Sequence, residues 1–200
     1  MKIILDAMGG DNAPRATVEG ALEALNLHPE LQVELSGPME QVKPVVDEVF
    51  ASSTARDRLT LTDCQEVITN CESPVMAVRK KKNSAIVDGM LKLRDGQVDA
   101  FVSAGSTGAL LTGATLLVKR VRGIRRAAMA PTIPTTTGKA VLIDCGANAE
   151  CTPEYLVQFA YLGSFYASRV LGIEQPRVGL LNIGAEPSKG DELRRETYQK

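Results

Sequence analysis

The stretch with the clearest chemical potential runs from Val102 to Ala109 and consists mostly of small and hydroxyl-bearing residues. Gly105 and Gly108 allow the backbone to approach a ligand closely, and Ser106 or Thr107 can cap the helix that follows. The first turn of such a helix offers unpaired N–H groups and the positive end of the helix dipole, which favour an anion such as phosphate. A tight strand-to-helix corner that binds nothing has the same composition, because glycine-rich turns are common in parallel α/β proteins.

Three further loops rich in glycine and polar side chains follow predicted strands, at residues 6–14, 144–151 and 183–190. Ligands of open parallel sheets bind outside the carboxyl ends of the strands, so we expect these loops and residues 103–108 to line one cleft. Taken singly, Asp6 or Asp144 can instead pair with the amides of its own loop. The residues that we predict to form the site are Asp6, Gly9, Gly10, Asp11, Ser103, Gly105, Ser106, Thr107, Gly108, Asp144, Asn148, Glu186 and Lys189.

Several common catalytic patterns are missing from these loops. Residues 8–11 do not give the dinucleotide fingerprint, and residues 184–190 contain a lysine but not the Walker A spacing. His28 is the only histidine, which disfavours a Ser/His/Asp triad and a histidine-activated nucleophile at Cys145 or Cys151. No cysteine belongs to a CxxC pair, so we predict no metal site. The loops suit positioning and electrostatics, as in the attack of phosphate on an activated carbonyl.

The composition is that of an ordinary globular protein, with 44% hydrophobic and 24% charged residues among 200. A net charge of −1 and the absence of tryptophan argue against nucleic-acid binding. Unpaired cysteines fit a reducing cytosol, and Met1 leads directly into a strand without a signal peptide. The apolar runs are also too short to span a bilayer.

Strands and helices alternate along the first part of the chain. Strands at residues 2–5, 31–35 and 59–62 are separated by helices around 14–25 and 42–50, an order that predicts a mostly parallel sheet. Residues 63–83 show no regular pattern. The later predicted elements are a helix at 84–93, strands at 99–102, 127–133, 139–144 and 177–182, and a long helix from 153. We predict one α/β domain over residues 1–200.

Two basic runs, Arg79–Lys82 and Lys119–Arg126, have alternative explanations. Each can be a solvated surface, and the second also suits the negative end of the helix before it. Each can also dock an acidic partner or an anionic substrate.

Four motifs in order resemble the PlsX family, the phosphate acyltransferases of bacterial phospholipid synthesis. They lie at residues 6–14, 103–109, 144–148 and 181–190, so the resemblance covers essentially the whole chain. The chain departs from the family pattern at Arg126-Ala127-Ala128, where the family usually has Arg-Pro-Ala, and at Glu150, where Asp is more usual. The family's chains continue well past position 200, so its C-terminal part lies outside this chain.

The resemblance implies transfer of a long-chain acyl group from acyl carrier protein to inorganic phosphate, giving acyl phosphate for a membrane enzyme that acylates glycerol 3-phosphate. It also implies a three-layer α/β/α fold like that of phosphotransacetylase, a homodimer, and a cytoplasmic location with peripheral membrane contact. No cofactor or metal is implied.

The predicted catalytic residues are Lys189, Asn148 and Asp6. In this hypothesis phosphate lies at the helix start around Ser106, and Lys189, with Asn148 or loop amides, stabilises the oxyanion. One alternative is a short-chain phosphotransacetylase that uses acyl-CoA, and another is a non-enzymatic protein that binds phosphorylated metabolites. A nicotinamide-dependent dehydrogenase is disfavoured by the missing fingerprint.

Overall fold

The structure is a computed structural model that describes residues 1–186 and 188–200. Pro187, which falls in the predicted loop 183–190, lies outside the described residues. The chain divides into two compact units, Met1–Lys119 and Arg120–Lys200. The single α/β domain expected from the sequence stays a prediction.

The first unit is built on a four-stranded parallel sheet with the strand order β3-β2-β1-β4. Its elements are β1 (Lys2–Asp6), α1 (Arg15–Leu27), β2 (Gln32–Gly37), α2 (Met39–Val49), β3 (Leu59–Asp63), α3 (Pro74–Lys80), α4 (Ala85–Arg94), β4 (Ala100–Val102) and α5 (Thr107–Gly113). A 3₁₀ turn at Thr54–Arg58 precedes β3, and a π-helical turn at Ala114–Val118 follows α5. The predicted strand–helix alternation is confirmed, and α3 is an added helix within the irregular stretch.

Both faces of this sheet are covered by helices. Val33 and Leu35 of β2 belong to a buried apolar cluster with α1 and α2. The residue between them, Glu34, faces the opposite side, where α4 packs against the sheet. Successive residues of a strand point to opposite faces, so β2 contributes to two cores. The resulting three layers confirm the predicted α/β/α architecture.

A buried ionic cluster lies between the sheet and α4. The carboxylate of Glu34 accepts hydrogen bonds from Lys92 at 2.5 Å and from the Thr62 hydroxyl at 2.6 Å, and it pairs with Lys2 at 2.7 Å. Glu34 is 5% exposed. Burial opposes its ionisation, but the bonds from Lys2, Lys92 and Thr62 together outweigh that penalty and lower the pKa of Glu34 to about 2. The cluster therefore holds α4 on the sheet through charged hydrogen bonds.

In the second unit, several strands predicted from the sequence differ from those in the structure. Its elements are β5 (Thr132–Thr135), β6 (Gly138–Val141), α6 (Pro153–Arg169) and α7 (Glu192–Gln199). β5 and β6 form an antiparallel hairpin, so the strands predicted at 127–133 and 139–144 are shorter and shifted. The expectation that residues 144–151 follow a parallel strand is wrong, because β6 is antiparallel and ends at Val141.

The prediction of a strand at residues 177–182 is also wrong. Val178 and Leu181 are 59% and 79% exposed, and no described segment pairs with this stretch. An extended segment becomes a β-strand only when a neighbour shares its N–H and C=O groups, which an apolar pattern cannot guarantee. The loop 183–190 therefore does not follow a strand.

The long helix α6 is confirmed, with Thr152 before it and Pro153 at its first position. Its residue Gly163 faces Ile143, whose side chain would lie 3.0 Å from an added Cβ. Among residues 1–186 and 188–200, no helix is both long and apolar enough to cross a membrane.

Candidate functional site

The register of two neighbouring strands places Asp6 beside Ser103. Leu5 of β1 is opposite Val102 of β4, so the next residue of each strand lies at the same carboxyl edge of the sheet. The Ser103 hydroxyl donates a hydrogen bond of 2.8 Å to Oδ2 of Asp6 and accepts one of 3.0 Å from the Gly105 N–H. The structure thus brings together the predicted loops 6–11 and 103–108.

The carboxyl of Asp6 is enclosed between these loops. Asp6 is 5% exposed, and its Oδ1 accepts a hydrogen bond of 3.1 Å from the Met8 N–H. Burial raises the pKa of Asp6 above 3.8, and the hydrogen bonds from Ser103 and Met8 oppose that rise. These contacts match the alternative reading of Asp6 as a residue that pairs with loop groups.

Two glycines allow the loops to approach so closely. A Cβ on Gly9 would lie 2.9 Å from the backbone nitrogens of Ala104 and Gly105, closer than a real Cβ can lie to them. Gly10 has a φ of +98°, in the left-handed region that favours glycine. Gly10 and Asp11 are exposed at the rim of the loop. A side chain at position 9 is therefore incompatible with the observed corner.

The start of α5 follows the predicted capping. The Ser106 hydroxyl accepts a hydrogen bond of 3.3 Å from the Ala109 N–H, so Ser106 is the cap, and Thr107 is exposed in the first turn. Gly108 faces α3, because a Cβ there would lie 2.7 Å from Cγ of Pro74. The absence of a side chain at Gly108 thus has a packing reason, and ligand contact by Gly108 stays a prediction.

A narrow cleft adjoins Asp6 and Met8 and is lined by residues that the sequence reasoning missed. Its other walls are formed by Gly37, Pro38, residues 66–68 and residues 84–86. Ser84 caps α4 by accepting a hydrogen bond of 3.4 Å from the Val87 N–H. A serine directly before an apolar helical run was a usable signal for this cap. Residues 66–68 gave no such signal.

In the second unit Asp144 organises its own loop. Its Oδ1 accepts a hydrogen bond of 2.7 Å from the Met129 N–H, and its Oδ2 accepts bonds from the N–H groups of Ala147 at 3.0 Å and Asn148 at 2.8 Å. The Asn148 side-chain amide donates to the Ala127 carbonyl at 2.9 Å and to Asp144 at 3.3 Å. Both N–H groups of this amide are therefore engaged within the loop.

Glu186 and Lys189 lie together in the other predicted loop of this unit. An added Cβ on Gly184 would lie 2.8 Å from Oε2 of Glu186 and 2.9 Å from Cγ of Lys189. The Asn182 side chain donates to the Lys189 carbonyl at 3.1 Å, and Glu186 and Lys189 are both exposed. These loops and those around Asp6 belong to different units, so the meeting of all four stays a prediction.

The two cysteines considered as nucleophiles differ in environment. Cys145 is exposed and Cys151 is half-buried. Burial raises the pKa of the Cys151 thiol, and the charge of Asp144 raises it further. A raised pKa reduces the thiolate fraction, which disfavours nucleophilic attack by Cys151.

Comparison with known proteins assigns this chain to a family. The model of a family described as "Fatty acid synthesis protein" matches residues 1–200. The chain belongs to this family of fatty acid synthesis proteins. Proteins named "Phosphate acyltransferase" from Clostridium novyi and Bacillus licheniformis are 44% and 46% identical to it, in each case over 100% of the chain and 59% of the relative. The resemblance to the phosphate acyltransferases is confirmed.

The chain spans about three fifths of the length of these fatty acid synthesis relatives. Among solved structures, the EutD phosphotransacetylase from Staphylococcus aureus matches with a TM-score of 0.65 and 19% identity. The match covers 100% of the chain and 62% of that structure. At this identity the likeness shows the fold alone, and that fold is phosphotransacetylase-like, as predicted.

Proposed function

We propose that the full-length protein containing this chain transfers a long-chain acyl group from acyl carrier protein to inorganic phosphate. The observation that carries the proposal is the contact between loops 6–11 and 103–108 in a member of a fatty acid synthesis family. Its relatives named phosphate acyltransferase support this choice of reaction. The product, acyl phosphate, would serve phospholipid synthesis, and the reaction needs no cofactor.

In the proposed reaction, an oxygen of phosphate attacks the thioester carbonyl of the acyl group. The new C–O bond forms a tetrahedral oxyanion, whose collapse breaks the C–S bond and releases the carrier's thiolate. The proton that hydrogen phosphate loses on becoming acyl phosphate converts the thiolate to the thiol. We place phosphate at the start of α5, near Ser106 and Thr107, because free N–H groups there suit an anion. Asp6 and Ser103 hold the corner in shape, as their hydrogen bond indicates.

We assign the stabilisation of the oxyanion to Lys189. Its side chain is exposed, whereas both N–H groups of the Asn148 amide are already engaged with Ala127 and Asp144. Asn148 and Asp144 then act by fixing their loop. Glu186, next to Lys189, is suited to orient the lysine ammonium. A cation near a developing negative charge lowers the barrier because its attraction to that charge is stronger in the transition state than in the ground state.

The proposal extends to the partners of the reaction. By family resemblance we propose a cytoplasmic homodimer that touches the membrane peripherally and supplies the membrane enzyme that acylates glycerol 3-phosphate.

The decisive experiment measures thiol release from palmitoyl-acyl carrier protein with and without phosphate, using the full-length protein. We expect release that depends on phosphate. Parallel reactions with acetyl-CoA and palmitoyl-CoA separate this activity from that of a short-chain phosphotransacetylase. Phosphate binding without any thiol release would reject the acyltransferase and favour a phosphometabolite-binding protein.

A further inference from the structure

In the basic run Arg79–Lys82, one cation is bonded within the unit and the other three are exposed to solvent. The Lys81 ammonium donates to the Val67 carbonyl at 2.6 Å and to Glu72 at 2.8 Å, and its side chain is 28% exposed. Arg79, Lys80 and Lys82 are exposed. Lys81 therefore has a structural role, which leaves the other three to be explained.

The other cations of this unit are mostly engaged within it. Those that pair with carboxylates or donate to backbone carbonyls are Lys2, Arg15, Lys43, Arg56, Arg58, Lys92 and Arg94. Within the described part of this unit, Arg79 and Lys80 have no such partner, and Lys82 reaches only the Val78 carbonyl at 3.4 Å. These three neighbouring cations therefore form a positive surface that the unit does not neutralise.

This positive surface is held beside the candidate site. Asn83 and Glu66 exchange two hydrogen bonds, of 3.0 Å between their backbones and 2.9 Å from the Asn83 N–H to the Glu66 carboxylate. The next residue, Ser84, lines the cleft that also contains Asp6. The run thus leads directly into the wall of the cleft, and the Lys81 contacts fix its position.

We propose that Arg79, Lys80 and Lys82 form a docking surface for an acidic protein. The inference rests on the proposed function, in which the acidic protein is the acyl carrier. Positive charges at the rim of a site attract an acidic partner over a distance of about one Debye length, roughly 10 Å at 0.1 M salt. A carrier docked there would bring its acyl thioester towards the loops around Asp6.

The test compares two thioesters with the triple variant Arg79→Glu, Lys80→Glu, Lys82→Glu of the full-length protein. Palmitoyl-acyl carrier protein presents an acidic surface, whereas palmitoyl-pantetheine carries the same thioester without a protein. We expect KM for the carrier substrate to rise about tenfold or more at low salt, with kcat retained. KM for palmitoyl-pantetheine should change much less, and the difference between variant and wild type should shrink at high salt.

Two further variants test whether the rise in KM for the carrier substrate is specific to Arg79, Lys80 and Lys82. Lys43→Glu reverses an exposed charge on α2, on the other face of the sheet, and should leave both KM values unchanged. Reversal of Arg122, Arg125 and Arg126 tests the second basic run. The proposal is overturned if the triple variant leaves the carrier KM unchanged, if both thioesters are affected equally, or if only the second run matters.

Direct binding separates this inference from the proposed function. Binding of fluorescently labelled apo-acyl carrier protein, followed by anisotropy, should weaken about tenfold in the triple variant and not in Lys43→Glu. If the wild type releases no thiol from either substrate, the proposed function fails, and the anisotropy still decides docking. Equal carrier affinity of the triple variant and the wild type would overturn the docking surface.

Discussion

The hydroxyl of Ser103 donates a 2.8 Å hydrogen bond to Asp6, across a sequence separation of 97 residues. Asp6 ends β1 and Ser103 follows β4, so this bond joins the loops of two adjacent parallel strands. The Gly105 and Met8 N–H groups complete the arrangement. The corner proposed to hold phosphate is thus shaped by a buried carboxyl group.

We expect Asp6→Ala to lower the free energy of unfolding by about 1–3 kcal/mol, because it leaves the Ser103 hydroxyl and the Met8 N–H without their acceptor. Asp6→Asn should cost less, since an amide can still donate to Ser103 and accept from Met8. Urea denaturation of the wild type and both variants measures the difference. Equal stability of Asp6→Ala and the wild type would show that the bond does not support the fold.

The raised pKa of Asp6 predicts a pH dependence of stability. The folded state holds the Asp6 proton more tightly than the unfolded state, whose pKa lies near 3.8. Its stabilising contribution is therefore complete below that pH and is lost as the pH rises through the folded pKa. The wild type should lose stability relative to Asp6→Asn as the pH rises above about 4. Urea denaturation at several pH values measures this difference, and a constant difference contradicts the prediction.

Gly9→Ala should destabilise the protein by roughly 1–3 kcal/mol, because the new methyl group would overlap the backbone of residues 104 and 105. Gly20→Ala is the matched control. Gly20 lies within α1, and an added Cβ there has no neighbour within 4 Å, so alanine should stabilise by about 0.5–1 kcal/mol. Thermal unfolding should show a lower Tm than wild type for Gly9→Ala and a higher Tm for Gly20→Ala.

Glu34→Gln should lower the free energy of unfolding by roughly 2–4 kcal/mol, because Lys92 and Lys2 lose a buried counter-charge. Glu19→Gln, which removes an exposed partner of Arg15, should cost at most about 1 kcal/mol.

The Glu34 cluster also predicts sensitivity to acid. The pKa of Glu34 is lowered from 4.5 to about 2, so its contribution is complete above 4.5 and is lost as the pH falls towards 2. Urea denaturation across this range should show a loss in the wild type that Glu34→Gln lacks. The same acid loss in both proteins would contradict the assigned pKa.

Lys189→Ala in the full-length protein should lower kcat for phosphate-dependent thiol release by a factor corresponding to roughly 3–4 kcal/mol, if Lys189 stabilises the oxyanion. The exposed Lys139 on β6 provides the control, and Lys139→Ala should retain wild-type kcat. Circular dichroism should show an unchanged fold for both. A near-normal kcat of Lys189→Ala would reject the assigned role.

Much of the first unit could be predicted from its sequence because the signals were local. Apolar periodicity predicted β1, β2 and β3 and the helices between them. The hydroxyl residues before α5 predicted a cap at Ser106 or Thr107, and the structure shows that Ser106 is the cap. The same order implied parallel strands, and parallel neighbours end at one edge, which brought Asp6 and Ser103 to the same corner.

The remaining features depend on contacts between distant segments. No local pattern showed that Glu34 would be buried beside Lys92, 58 residues away. Nor did any local pattern show that residues 66–68 would line a cleft together with Asp6. In the second unit the apolar pattern at 177–182 suggested a strand, but no described segment pairs with it. The sequence alone determined which segments could be helices, strands and capped turns, because these preferences act over a few residues. Only the tertiary structure decided which strands found partners and which charges were buried together, because pairing and burial depend on residues far apart in the chain.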